Sequence, residues 1–130
     1  MHLEIFANRF VVLIPPGVGV APALVRVGAY VRRGRCSYPA RTLEPTGVIE
    51  IDTHSALSLG DFFRLWGQPL SRTRVVGFQA GEGERVHAFV AGREWSGDPR
   101  GIPIERHAVI LLEVRGDVPP HRRYRFPPGL

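Results

Sequence analysis

The chain has 130 residues, 44% of them hydrophobic and 22% charged, and a formal net charge of +5. That length suits one domain with its own core, and the composition excludes wholesale disorder. Every basic residue is Arg, and the lone cysteine, Cys36, excludes an internal disulfide or a Cys-cluster metal site.

Leu3 to Phe6 and Phe10 to Ile14 are β-rich runs on either side of Ala7-Asn8-Arg9, a hairpin pattern because Asn tolerates a positive φ. Pro15-Pro16-Gly17 ends that pairing. Gly17-Val18-Gly19 lacks the later glycine and helix opening of a phosphate loop. Ala23 to Val31 is apolar enough for a strand or a short helix, and Arg32 to Pro45 is the least regular stretch. Val48 to Ile51 is a β-branched strand pattern.

Ser58 opens the one clear helix, spanning about 58–66. Asp61, three positions on, completes a capping box, and Leu59, Phe62, Phe63 and Trp66 form an apolar stripe at helical spacing. Gly67 suits the position just past the helix, and Pro69 forbids continuation. Arg74 to Gln79 and Arg85 to Val90 are read as two strands around Gly81-Glu82-Gly83. Ala91-Gly92 marks another tight turn before Trp95. Ala108 to Val114 carries an unbroken VILLEV run and is expected at the centre of the sheet. The remaining thirteen residues, VPPHRRYRFPPGL, include four Pro and are expected as an extended arm. The expected architecture is α+β: a β-grasp-like mixed sheet with one helix packed on it over residues 1–116, then a Pro/Arg-rich tail over 117–130.

The chain resembles a family of small bacterial domains on two motifs, Leu59-Gly60-Asp61-Phe62-Phe63-Arg64-Leu65-Trp66-Gly67 and Gly97-Asp98-Pro99-Arg100, over about residues 2–116. The resemblance names no established activity. Its pattern implies a histidine on the first strand, a cysteine, and a His-Thr-His-Asp segment followed by Gly-Val-Ile-His. Here Arg41-Thr42-Leu43-Glu44 stands in place of the first of these segments and Glu50 in place of the last histidine. Only His2 and Cys36 keep positions where the family has possible ligands. Two donors fall short of the three or four that a transition metal needs. The replacements are expected to form an Arg41–Glu44 or Arg41–Glu50 ion pair, and a degenerate metal site on His2 and Cys36 is one alternative reading.

Catalysis finds little support. Cys36 sits among Arg32, Arg33 and Arg35, which favour a thiolate, yet no histidine lies within ten residues to serve as its base. His54, in Asp52-Thr53-His54-Ser55, belongs to a strand end and helix entry. His87, His107, Glu82, Glu84 and Asp98 all occupy strand or turn positions that explain them structurally. No cofactor is expected.

The charge itself is uneven. Residues 24–41 hold five Arg and no acid, residues 115–130 hold four Arg against Asp117, and the rest of the chain is net acidic. Arg32, Arg33 and Arg35 on the irregular crossover, with Arg122, Arg123, Tyr124 and Arg125 in the tail, are the expected surface for an anionic partner. That partner is expected to be an acidic protein surface or a larger assembly, with nucleic acid as the alternative. Homodimerisation through an open sheet edge also fits. No run approaches the roughly 18 apolar residues that span a bilayer, and the N-terminus lacks a leader pattern, so a cytoplasmic location is expected.

Overall fold

The computed structural model describes residues 1–20, 25–27, 30–33, 38–52 and 54–130. Its strands are β1 (His2–Ala7), β2 (Phe10–Val11), β3 (Val25–Val27), β4 (Tyr30–Arg33), β5 (Ala40–Arg41), β6 (Glu50–Ile51) and β7 (Leu57–Ser58). Helix α1 (Leu59–Trp66) follows, then β8 (Arg74–Val75), β9 (Phe78–Gln79), β10 (His87–Val90), β11 (Arg93–Glu94), a 3-10 turn (Pro99–Gly101), β12 (Pro103–Ile104) and β13 (Val109–Val114).

The architecture is α+β, as expected. One five-stranded sheet runs in the order β11-β10-β13-β1-β2. The first and last strands of the chain lie parallel at its centre, and the flanking pairs are antiparallel. That parallel central pair is what makes the arrangement β-grasp-like, and joining its ends takes the whole intervening chain. Asn8 and Arg9 at φ 51° and 68° build the two-residue turn between β1 and β2, and Ala91 and Gly92 at φ 51° and 80° build the one between β10 and β11.

Register decides which side chains meet the helix. Leu3, Ile5 and Ala7 sit beside Ile110, Leu112 and Val114, with Ala88 across from Leu112. All of these join one buried cluster with Leu59, Phe62 and Phe63 of α1. Burying such side chains contributes roughly 1.5–3 kcal/mol each. The helix is capped as its sequence demands. The Ser58 hydroxyl accepts from the Asp61 amide at 3.2 Å, and the Asp61 carboxylate accepts from the Ser58 amide at 2.8 Å. At the other end Gly67 takes φ 76° and donates back into the last turn.

The segments 59–67 and 97–100 touch each other. A Cβ on Gly60 would lie 3.1 Å from the Arg100 Cβ and carbonyl oxygen, so the glycine lets the 3-10 turn settle against the helix. Trp95 Nε1 donates to the Asp98 carbonyl at 3.1 Å, and Asp98 caps that turn through the Arg100 amide.

Three elements differ from their sequence pattern. Arg74 to Gln79 is not one strand: β8 and β9 fold on each other, with Val76 at φ 54° in the bend. Within Val48 to Ile51 only Glu50–Ile51 forms a ladder, against Ala40–Arg41, while Val48 makes an isolated bridge to His2. Phe10 to Ile14 supplies a ladder of only two residues. Short pairings prevail because the prolines and glycines on either side withdraw partners before a longer ladder can form.

Candidate functional site

The face of the sheet turned away from α1 carries the unusual chemistry. Register places His2 beside Val109, Glu4 beside Leu111, and Phe6 beside Glu113, with His87 across from Glu113 and Phe89 across from Leu111. An uncovered outer face would leave these groups in water. Instead His2, Val109, Leu111 and Glu113 are all buried. Their cover is the C-terminal arm, which returns along this face.

The arm is held at successive points. The Val118 amide donates to Glu113 Oε2 at 2.7 Å, and His121 Nδ1 donates to Glu4 Oε2 at 2.9 Å. The Tyr124 ring lies flat on His2, centroids 3.7 Å apart and planes within 7°. Phe126 stacks on His107 at 4.8 Å, and His107 Nε2 donates to the Leu130 carbonyl. Arg122 lies across the Ala91-Gly92 turn, where a Cβ on Gly92 would come within 2.5 Å of its Cγ. Arg9 pairs with Asp117 at the start of the arm.

This docking sorts the arm's side chains by alternation. Tyr124 and Phe126 turn inward and are partly buried, while Arg123 and Arg125 turn outward and are exposed, as is Arg122. Among the described residues, no ion pair involves these three arginines. Asp117, the arm's one acid, is taken by Arg9. The arm therefore presents uncompensated guanidinium groups on a backbone fixed from beneath.

Burial tunes two groups under the arm. His2 is held below the ordinary histidine range, chiefly because it is buried, with the nearby Glu4 charge working the other way. Glu113 is pushed above the ordinary glutamate range by burial, against the hydrogen bond from Val118. The Thr46 carbonyl lies 3.2 Å from His2 Nε2, so that nitrogen carries the proton, and the buried Nδ1 has no partner.

Other polar groups answer to local structure. Arg41 pairs with Glu50, Nε to Oε2 at 3.0 Å, which is one of the two expected ion pairs. Buried Thr42 accepts from the Val18 amide at 3.1 Å and donates to the Pro15 carbonyl at 2.7 Å. His54 is exposed and its amide closes an Asx turn on Asp52. One network was missed from sequence: Glu94 Oε1 accepts from Arg85 at 2.9 Å and from His87 Nδ1 at 3.1 Å. Those bonds, with the His87 contact foremost, hold the Glu94 carboxyl below its usual range. The two-residue turn at Ala91-Gly92 is the signal that could have found it, since it sets His87 and Glu94 diagonally across the hairpin.

The network borders an open concavity of about 770 Å³ that also meets Arg115 and Glu84. Its charges are of both signs, and Arg85 and His87 are engaged by Glu94, so its lining does not present one concentrated charge to a ligand. Among the described residues, no group of three or more His, Cys, Asp or Glu side chains could hold a metal ion. Arg32 and Arg33 end β4, whereas Arg35 and Cys36 lie outside the described residues. Among the described residues, no helix is long and apolar enough to cross a membrane.

No protein-family model, curated protein or solved structure matches this chain.

Proposed function

We propose that this is a non-catalytic binding or assembly domain, whose working surface is the arginine array of the docked arm, Arg122, Arg123 and Arg125, joined by Arg32, Arg33 and Arg35. The partner is an acidic protein surface, met alone or within a larger complex. The observation that carries this reading is the alternation along the arm: aromatic rings seated on His2 and His107, guanidinium groups outward and without ion pairs among the described residues. A backbone held in place loses less entropy when its side chains are engaged, and Arg offers planar bidentate contacts to carboxylates.

An acidic protein fits better than single-stranded nucleic acid. Strand binding draws on aromatic platforms for stacking bases, and on the arm both rings already face the body. The proposal carries a cytoplasmic setting, where Cys36 stays a thiol without needing a partner.

The test is binding of the whole chain to an Asp/Glu-rich peptide and, separately, to a single-stranded oligonucleotide, each over 50–300 mM salt. Peptide binding that weakens steeply with salt and drops at least tenfold in the triple variant Arg122→Ser, Arg123→Ser, Arg125→Ser supports the reading. Tighter binding to the oligonucleotide, or an undiminished triple variant, overturns it.

A further inference from the structure

The arm rests on a buried imidazole whose protonation state its own docking constrains. With Nε2 donating to the Thr46 carbonyl, a neutral His2 leaves its buried Nδ1 lone pair without a partner. A second proton on that ring would create a buried N–H with no acceptor and a charge withdrawn from water, which contact with the Tyr124 face offsets only in part. Both are costly unless the arm lifts and water enters. Gly47 lies beside the ring, where an added Cβ would come 3.3 Å from His2 Nε2.

We propose that residues 117–130 form a pH-gated strap: neutral His2 beneath Tyr124 keeps it closed on the outer face of the sheet, and protonation of His2 opens it.

The groups that face His2 determine the direction. Glu4, on the same strand, favours the charged imidazole, whereas His121 on the arm and the Met1 amine oppose it. Burial outweighs Glu4, so the closed state prefers the neutral ring. The sign follows: closure is complete above the ordinary histidine value and is lost as pH falls from there toward the lower value that His2 has beneath the strap. Across that window the closing equilibrium falls by about tenfold per pH unit. A charged His121 would tighten its contact with Glu4 and resist opening. That contact is exposed on the His121 side, with 62% of the side chain accessible, and exposed pairs contribute little. The buried ring prevails over it.

The inference goes beyond the proposed function and does not depend on what the arginines bind, because it concerns only the arm and the sheet. Its test needs no partner. Backbone {1H}-15N heteronuclear NOE values for residues 121–126, 129 and 130, the arm's non-proline positions past Val118, report closure directly and are measured from pH 7.5 to 5.0. In the wild-type chain they are expected to be high at pH 7.5 and to collapse toward pH 5.0, while values for α1 stay level. His2→Phe keeps a flat ring and removes the titration, so its strap is expected to stay closed throughout. Tyr124→Ala, which alters only the arm, is expected to be more open than wild type at every pH. His121→Gln is expected to open at a higher pH than wild type.

A wild-type strap indifferent to pH overturns the proposal. So does a His2→Phe strap that opens like wild type, which would assign the transition to the Met1 amine or another group. Should His2→Phe fail to fold, the imidazole shifts of His2 decide. Its midpoint must rise when Tyr124→Ala frees the arm, and an unchanged midpoint refutes coupling.

Discussion

Tyr124 and His2 stand 122 positions apart in the chain and stack face to face, 3.7 Å between centroids. The contact joins the first strand to the last few residues, and it turns a proline-rich tail into part of the sheet's cover. It also removes Tyr124 from the surface on which its flanking arginines are displayed.

Tyr124→Ala is expected to loosen the arm and leave the body intact. Aromatic pairs contribute about 0.5–1.5 kcal/mol beyond their buried area, and the exposed Arg122-Arg123 bond is a ready trypsin site. Cleavage there should accelerate about two- to tenfold at pH 7.5, since 1.4 kcal/mol is a factor of ten. The thermal midpoint of the remaining domain should hardly move. A fall in the thermal midpoint in step with faster cleavage would mean that the arm is integral to the fold.

Gly47→Ala is expected to destabilise the chain severely. The backbone there has φ 78°, and an added Cβ would come within 2.5 Å of the Leu3 carbonyl oxygen. Left-handed strain costs of order 1–3 kcal/mol and overpacking about as much again. Urea unfolding should show a loss of about 2–6 kcal/mol, and a loss below about 1 kcal/mol would contradict the close approach.

Ser58→Ala removes an N-cap whose hydroxyl and amide both engage Asp61. Caps of this kind are worth about 1 kcal/mol, so the melting temperature should fall by about 3–6 °C. Ser58→Asp should recover most of it. Failure of that rescue would point to a role for the hydroxyl beyond capping.

Glu113→Gln tests the buried carboxyl beneath the arm. Burial holds Glu113 above its ordinary range, so the folded state prefers it protonated. That preference supports the fold most fully below the ordinary glutamate value and is lost as pH rises through the raised one. Glutamine keeps an acceptor for the Val118 amide and never ionises. The variant should therefore gain stability relative to wild type between pH 4.5 and 7 in denaturant titrations. A difference that is flat with pH would exclude the effect.

Much of the local structure was legible because its causes are local. Ser58, Asp61 and Gly67 specify the helix and its ends within ten positions, Asn8 and Gly92 suit the left-handed turns they occupy, and the VILLEV run could only be a buried strand. Those are steric and capping preferences of a few consecutive residues, which the chain carries wherever it folds. The separation of Arg74 to Gln79 into a hairpin was not legible, because Val76 adopts a backbone conformation that β-branched residues ordinarily avoid.

The candidate surface divides along the same line. Clustering of arginines is a property of sequence alone, and so is the Tyr-Phe spacing in the arm. Which of those side chains faces inward depends on the parallel register of β1 and β13, which sets His2, Glu4 and Glu113 on one face. Register couples residues more than a hundred positions apart, and no short-range pattern encodes it. Composition therefore supplied the charge, while long-range pairing decided that a buried histidine, and no loop, would hold that charge in place.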